Sequence, residues 1–390
     1  MKRKMPLILS LVFIVFIGIW SGIIIKARES NIKFTDLYGN RSELDNVQFD
    51  LQKSKGVRIE NLDINKNGIE SKTTLEDDVF FGRDFGDDIP LDKEFFRGLF
   101  PTRETFFQNE DIMVDISNRL YEQEPNFEVR IKNKKDNNYE KFKVKVDGEI
   151  TDNYRINGIT YKDGKINILL ASNYKEDSIN FGEIDVKSKT FRISKTINLD
   201  EVYKGNNSYL YNEFDGIYDG KIYFTMNTYH EDSGNKEFGL TGFLEVDLNN
   251  KSIEVYKIDE SVLNDIKSMK KPQQVGQIDF KNEKIYMQIL GEYGDSTSVL
   301  TFNMETKKVT FYKNLIERER FERYDVKFSN IDKVFIEGDK AYLNLIAYNE
   351  EDPICYKGYI AVLDINSKNP VYIGKYDDGI LDNIKIIGGK

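Results

Sequence analysis

One short pattern recurs six times along the 390-residue chain, and it constrains the fold more than any other feature. Its clearest form is Val-Asp-Leu-Asn-Asn-Lys-Ser-Ile at 246–253. It returns as Ile-Asp-Val-Lys-Ser-Lys-Thr-Phe at 184–191 and Leu-Asp-Ile-Asn-Ser-Lys-Asn-Pro at 363–370. Looser copies sit at 302–309, around 132–138 and at 62–69. Measured from Asp63, Asn133, Asp185, Asp247, Asn303 and Asp364, the spacings are 70, 52, 62, 56 and 61 residues. Between the copies apolar residues alternate with others, as at Ile222, Phe224 and Met226, which gives each predicted strand one buried face and one different face. A period of this size built only from strands marks a radial or stacked repeat.

Each unit divides into four strands. In the fourth, a strand over 213–218 turns at Asp219-Gly220 into 221–227, followed by a longer loop, a strand over 242–248, the Asn249-Asn250 turn and a strand over 252–258. Asp-Gly between alternating apolar runs is a hairpin signal, because both central residues of a type I′ turn need positive φ. The third unit repeats it at Asp163-Gly164, the fifth uses Asn282-Glu283 and the sixth Gly338-Asp339. The second has Asn109-Glu110-Asp111 before Ile112, and the first is the least regular, with 47–51 and 57–64 as its clearest strands.

Four-stranded antiparallel units at this period resemble the blades of β-propellers, and the resemblance covers residues 31–390 as a single ectodomain. It stops at the class. The only tryptophan, Trp20, lies near the N-terminus, so the WD signature and the tryptophan-bearing Asp box are absent, as are YWTD and the repeated Gly-Gly of kelch blades. The resemblance implies an all-β, six-bladed propeller, or seven blades if 80–100 holds an irregular one. The run Asn383-Ile384-Lys385-Ile386-Ile387 is left over after the sixth unit and is expected to pair with the first and remove an exposed edge.

The first 30 residues are a separate element. From Pro6 to Ile25, through Trp20, no residue is charged; Lys2, Arg3 and Lys4 precede the run, and Lys26 and Arg28 follow it. As a helix this stretch is long enough to cross a hydrocarbon core of about 30 Å, and it is longer than the apolar core of a cleaved signal peptide. We expect an uncleaved signal anchor of a single-pass cell-membrane protein, with the bulk of the chain extracytoplasmic. Removing those five positive charges from a net charge of −10 leaves −15 on the residues that follow, which excludes a general nucleic-acid binder. With Cys355 alone, no internal disulfide can form.

Catalytic signatures are sparse. Asp63-Ile64-Asn65-Lys66-Asn67-Gly68 has the opening of a calcium loop, but Thr74 stands where a bidentate Glu is needed; Asp364-Ile365-Asn366 repeats the frame in the equivalent turn, so it is read as a turn. His230 is the only histidine, and no Gly-x-Ser-x-Gly elbow exists, so neither a histidine-rich metal site nor an elbow-borne nucleophile is expected.

A positional signal is stronger. After the second strand of five units comes a tyrosine followed by acids: Tyr121, Glu122 and Glu124; Tyr174, Glu176 and Asp177; Tyr229, Glu231 and Asp232; Tyr293 and Asp295; Tyr348, Glu350, Glu351 and Asp352. In an up-and-down blade these loops emerge at the same end, forming a rim that would attract Ca²⁺ or a basic partner and whose tyrosines could stack on sugars. No other cofactor is expected. Phe80, Phe81, Phe85, Phe95, Phe96 and Phe100 are expected to cover blade faces, 261–271 to form a short amphipathic helix before Pro272, and 317–323 a solvated helical face. The leading functional reading is a non-enzymatic, membrane-tethered module that binds an extracytoplasmic protein or carbohydrate. The alternative is a carbohydrate-active hydrolase or lyase using paired rim carboxylates.

Overall fold

The computed structural model describes residues 33–55, 58–75, 92, 95–96, 102, 104–120, 125–146, 154–172, 178–203, 208–211, 218, 220–228, 239–269, 273–281, 283–291, 296–348, 356–377 and 380–386. The segment from Pro6 through Trp20 to Ile25 lies outside them. Among the described residues no helix is long and apolar enough to cross a membrane.

In chain order the strands are β1 (Phe34–Gly39), β2 (Val47–Lys55), β3 (Arg58–Asn65), β4 (Gly68–Leu75), β5 (Phe106–Gln108), β6 (Ile112–Arg119), β7 (Asn126–Asn133), β8 (Tyr139–Lys145), β9 (Tyr154–Lys162), β10 (Lys165–Ser172), β11 (Ser178–Asp185) and β12 (Thr190–Asn198). There follow β13 (Ser208–Tyr211), β14 (Lys221–Thr228), β15 (Leu240–Asp247), β16 (Ser252–Lys257), β17 (Gln273–Lys281), β18 (Lys284–Leu290), β19 (Ser296–Asn303), β20 (Val309–Glu317), β21 (Asn330–Glu337), β22 (Lys340–Tyr348), β23 (Tyr356–Asp364), β24 (Pro370–Asp377) and β25 (Ile380–Ile386). They build six antiparallel sheets, five of four strands and one of five. The described helices are short: α1 (Leu199–Tyr203), α2 (Glu260–Lys267) and α3 (Arg318–Glu322). The chain forms two compact units, one of residues 80–318 and one of residues 1–79 with 319–390.

In the unit of residues 80–318, four sheets follow one another along the chain, each a meander with its strands in sequence order: β5–β8, β9–β12, β13–β16 and β17–β20. The second and third strands of each sheet are buried on both faces; β14, for example, buries Ile222, Tyr223, Phe224, Thr225 and Met226 in succession. The alternation at Ile222, Phe224 and Met226 therefore separates two buried faces rather than core from solvent. One face of β9–β12 puts Ile166, Ile168 and Ile184 into a core shared with Val114, Ile116 and Val129 of the sheet before it. The other sends Leu169, Ile179 and Phe181 into a core with Ile222, Phe224 and Val246 of the sheet after it. Phe243 and Phe302 stack between the last two sheets at 4.4 Å. Each such ring contributes about 1.5–3 kcal/mol of burial. The fourth strand is the wet one: β12 carries Thr190, Arg192, Ile193, Lys195 and Thr196 in the open. Along α2, Ile266 is buried and Val262 and Leu263 pack on the same core, as the amphipathic pattern predicts.

The first strand of the fourth repeat differs from expectation. β13 starts at Ser208, and Tyr218 adds only an isolated bridge to Lys221; residues 213–217 lie outside the described set. The run at 317–323 is also not wholly solvated, because α3 buries Phe321 edge-on to Phe328 at 5.3 Å.

The recurring motif forms the turn between third and fourth strands. Its leading Asp or Asn accepts backbone N–H groups two or three residues ahead: Asn133 from Lys135, Asp185 from Ser188, Asp247 from Asn250, Asn303 from Glu305 and Thr306, and Asp364 from Ser367. In the first repeat Asn65, not Asp63, does this, accepting from Asn67, while Asp63 sits inside the ladder opposite Glu70. Four residues after the leading side chain the backbone turns left-handed, at Asn137, Lys189, Lys251, Lys307 and Lys368, with φ between 53° and 60°. At the other recurring position Asp163 and Gly164 both have positive φ, as the Asp-Gly signal requires, whereas in Gly338-Asp339 only Gly338 does.

In the other unit the two chain ends are exchanged. β25 pairs with β2 (Val47↔Ile386 to Gln52↔Ile380) and supplies the missing strand of the first sheet, β25-β2-β3-β4, as the leftover C-terminal run predicts. The sequence did not anticipate the reciprocal step: β1 adds a fifth strand to the last sheet by pairing with β24, in the order β1-β24-β23-β22-β21. Asp36 holds β1 in place, accepting from Arg41 at 2.9 and 2.7 Å and from the Tyr372 hydroxyl at 2.6 Å. Burial alone would raise the Asp36 pKa, but the hydrogen bonds from Arg41 and Tyr372 outweigh it and hold it low. The Phe34 ring lies over Gly374, where a Cβ would come within 2.4 Å of it, so a larger residue at 374 has to displace that ring.

Deleting residues 380–390 strips the ladder from β2 and leaves its backbone groups open to pair with other chains. A loss of several kcal/mol with concentration-dependent aggregation is expected, since the buried contact of Ile384 is lost and β2 becomes an open edge. Thermal melting with light scattering checks it; an unchanged melting temperature contradicts it.

Candidate functional site

The rim tyrosines and acids fall on connections whose flanking strands are described. β6 ends at Arg119 and β7 starts at Asn126; β10 ends at Ser172 and β11 starts at Ser178; β14 ends at Thr228 and β15 starts at Leu240; β18 ends at Leu290 and β19 starts at Ser296; β22 ends at Tyr348 and β23 starts at Tyr356. All five segments thus join a second strand to a third. Tyr121, Tyr174, Asp177, Tyr229, Glu231, Asp232, Tyr293, Asp295, Glu350 and Asp352 themselves lie outside the described residues, as do His230 and Cys355. Tyr348 is described at its backbone, closing β22 opposite Tyr356. Among the described residues no group of three His, Cys, Asp or Glu side chains could hold a metal ion.

The carboxylates with the most perturbed surroundings lie elsewhere. Glu183 and Glu245 each stand two residues before the leading Asp of a turn, in Glu-Ile-Asp and Glu-Val-Asp, on the face of their sheet that looks to the next one. Glu183 is buried and accepts from Lys165 at 3.0 Å, Arg192 at 2.8 Å and Lys251 at 2.9 Å. Burial pushes its pKa up, but Lys251, Lys165 and Arg192 together bring it down to about 2. Glu245 accepts from Lys221 at 2.5 Å, the Tyr223 hydroxyl at 2.8 Å and Lys307, and is likewise held below the usual glutamate range against its burial. In both cases one lysine, Lys251 or Lys307, comes from the left-handed position of the following sheet's turn. Lys189 does the equivalent across the preceding pair, to Glu140 at 2.6 Å, because the position matching Glu183 there is Ile131. These acids are saturated with cations, which suits them to hold neighbouring sheets together and not to move protons. The recurrence of Glu-x-Asp before the turn was the sequence signal for them.

Asp115 is different. It lies in the middle of β6, directly opposite Arg130 on β7 and Phe106 on β5. It is 1 % exposed, and its Oδ2 makes no hydrogen bond. The face it shares carries Arg130, Glu128 and Lys132, covered by a turn in which Phe95 and Phe96 pack on Phe106 and Met113. That turn is pinned to the sheet: Arg130 Nη1 donates to the Phe95 carbonyl at 3.2 Å, and Lys132 bonds Asp92, whose other oxygen accepts from the Phe95 N–H. Phe95 and Phe96 thus cover a sheet face as expected; Phe80, Phe81, Phe85 and Phe100 lie outside the described residues. Burial pushes the Asp115 carboxyl up to about 7; Arg130 and a hydrogen bond from Thr105 oppose that rise, and the charge of Glu128 adds to it. A carboxyl that changes charge near neutrality was not foreseen, since the sequence MVDIS reads only as one polar residue in an alternating strand.

No family model matches the chain, and no curated protein matches it either. Several solved structures resemble it at low similarity. A prolyl endopeptidase aligns with 89 % of this chain at 9 % identity and TM-score 0.31, and this chain spans only half of that one. An oligogalacturonate lyase from Vibrio parahaemolyticus aligns with 88 % of this chain and 85 % of its own at 8 % identity and TM-score 0.33. The β-propeller domain of the Trilobed protease from Pyrococcus furiosus aligns with 87 % of this chain and 96 % of its own at 10 % identity and TM-score 0.28. Likeness at this level carries over no residue role and no activity.

Asp115 predicts a pH dependence with a definite sign. Its folded pKa exceeds the ordinary aspartate value near 4, so the folded state binds the proton more tightly and stability falls as pH rises from about 4 to about 7. Asp115→Asn removes that slope. Relative to the parent, the variant gains up to about 4 kcal/mol between pH 4 and pH 8, since each pH unit separating the folded from the unfolded pKa contributes about 1.4 kcal/mol. Denaturant melts across this range check it; parallel stability curves contradict it.

Proposed function

We propose that the chain is a membrane-tethered, extracytoplasmic six-bladed β-propeller that acts as a binding module, taking a cationic ligand, Ca²⁺ or a basic segment of a partner, at a rim of tyrosines and acids. The tether is the uncharged run from Pro6 to Ile25. The rim residues are Tyr121, Tyr174, Asp177, Tyr229, Glu231, Asp232, Tyr293, Asp295, Tyr348, Glu350 and Asp352.

One observation carries this reading: a tyrosine followed by acids recurs at the same connection, second strand to third, in five sheets. The turns between third and fourth strands, by contrast, are consumed by their own side-chain caps and by lysines that reach the neighbouring sheet. Glu183 and Glu245 are likewise engaged in holding the sheets, which leaves the loops as the recurring acidic feature open to a partner. Acids copied from sheet to sheet suit a distributed cation-binding surface better than a reaction centre, which needs one arrangement in one place. The like charges repel over a Debye length of about 10 Å at 0.1 M salt, and a cation relieves that cost.

Adding Ca²⁺ or polylysine is therefore expected to raise the melting temperature of the protein. The variant with Glu231→Gln, Asp232→Asn, Glu350→Gln and Asp352→Asn is expected to melt slightly higher without ligand and to lose the response. A variant that responds to both ligands as the parent does would show that the rim acids only solvate their loops.

A further inference from the structure

We propose that Asp115 and Arg130 form a latch worked by pH: while Asp115 is protonated, Arg130 holds the Phe95–Phe96 turn on the sheet, and when Asp115 ionises the guanidinium moves to that carboxylate and the turn lifts. The latch is independent of the rim loops and of the tether. Arg130 stands directly opposite Asp115 across the β6–β7 pair, so the two side chains leave the same face of the sheet with Cβ atoms about 5 Å apart. The guanidinium nevertheless bonds two other acceptors, the Phe95 carbonyl at 3.2 Å and Glu128 at 3.4 Å. Both are long for bonds from a charged donor, which settle near about 2.8 Å. Asp115 meanwhile is buried with its Oδ2 unbonded, while Thr105 donates a hydrogen bond to the carboxyl. A neutral acid competes poorly for the guanidinium. The carboxylate competes well, because an ionised acceptor roughly doubles the strength of such a bond and can take it in a paired geometry.

The charged groups around Asp115 decide how the latch is set. From β7 come Arg130, Glu128 and Lys132; on β8, Lys141 and Lys143 lie beyond them, opposite Arg130 and Glu128. β5 presents Phe106, with Thr105 beside it, and the turn brings Asp92, which Lys132 bonds. Glu128 is ionised: burial alone would raise its pKa, but Lys141, at 2.8 Å, and Arg130 hold it low. Asp115 is the group that changes charge near neutrality, pushed up to about 7 by burial, with Arg130 opposing the rise and Glu128 adding to it. The latched arrangement binds the Asp115 proton more tightly than the open chain does. It is therefore favoured below about pH 7 and lost as pH rises through that value. The bond between Lys132 and Asp92 does not involve Asp115, so the turn pivots at Asp92 and does not leave the sheet altogether.

Lifting the turn uncovers Met113, which is 2 % exposed where it packs with Phe95, Phe96 and Phe106. Its thioether reports the change, because peroxide oxidises exposed methionine and spares buried methionine. The test treats the full chain with dilute hydrogen peroxide from about pH 5 to about pH 9. Sulfoxide at Met113 is read by peptide mass spectrometry, with Met287, fully buried in β18, as the internal control. Over that range the ionised fraction of a group titrating near 7 rises from about 1 % to about 99 %. Oxidation of Met113 is therefore expected to accelerate at least about tenfold, with its midpoint near pH 7, while Met287 stays protected. Asp115→Asn is expected to keep Met113 protected at every pH. A rate at Met113 that does not change with pH overturns the latch, and so does a parallel rise at Met287, which would mean global unfolding. Both outcomes are read on the parent protein and need no variant. A pH response that survives in Asp115→Asn overturns it as well.

Discussion

A turn that presents a lysine backwards is the interaction on which the rest of the architecture depends. The leading Asp or Asn captures the backbone ahead of it, and the chain must then pass through a left-handed residue to enter the fourth strand. At Lys189, Lys251 and Lys307 that residue sends its ammonium to a carboxylate of the preceding sheet. A lysine in this conformation is strained relative to glycine, since φ near 55° is uncommon for a residue with a Cβ. At Lys251 and Lys307 the ion pair with a buried acid offsets that strain, whereas Glu140, the partner of Lys189, is exposed. One motif thereby does two jobs: it sets the register between third and fourth strands, and it couples that sheet to its neighbour. The buried acids in turn need those lysines, because a carboxylate left unpaired in a core would cost several kcal/mol.

The exchanged chain ends solve a separate problem. A row of sheets joined only by sequence leaves its first and last members short of partners. Here β25 completes the first sheet and β1 extends the last one, each at a strand edge that would otherwise be open. The two additions differ in character. β25 joins through an apolar contact, with Ile384 buried. β1 is mostly exposed and depends on polar and aromatic anchors: Asp36 between Arg41 and Tyr372, Arg41 over the Phe34 ring at 5.0 Å, and Tyr38 against Tyr324 at 4.3 Å.

Much of this was legible in the sequence, and the reasons differ by element. The hairpins at Asp163-Gly164 and Gly338-Asp339 and the repeated turns were readable because their chemistry is local: the residues that demand positive φ or cap an N–H sit within four positions. The pairing of the C-terminal run was readable as a strand left over from a count of units. β1 was not, because Phe-Thr-Asp-Leu-Tyr-Gly shows little apolar alternation and its partner lies at the far end of the chain. Asp63 was mistaken for the turn's leading residue because Asp63 and Asn65 both fit the frame; only the ladder, with Asp63 opposite Glu70, separates them. The titration of Asp115 was hidden for a different reason: its face of β6 is buried by the distant turn carrying Phe95 and Phe96, and one alternating strand cannot report that cover. For the rim, the sequence identified the connections and the strands around them bear out which strands they join, while the side chains named there lie outside the described residues.

The coupling of sheets through the repeated lysine is most directly measured by a double-mutant cycle at Lys251 and Glu183, using Lys251→Met and Glu183→Gln and reading unfolding free energy. Lys165 and Arg192 remain in every member of the cycle, so the coupling term isolates the bond made between sheets. The account predicts a coupling of about 1–2 kcal/mol, as for a charge-assisted hydrogen bond in a partly buried setting. Additive effects within about 0.3 kcal/mol would mean that the lysine only decorates its turn and that neighbouring sheets are held together by their apolar faces alone.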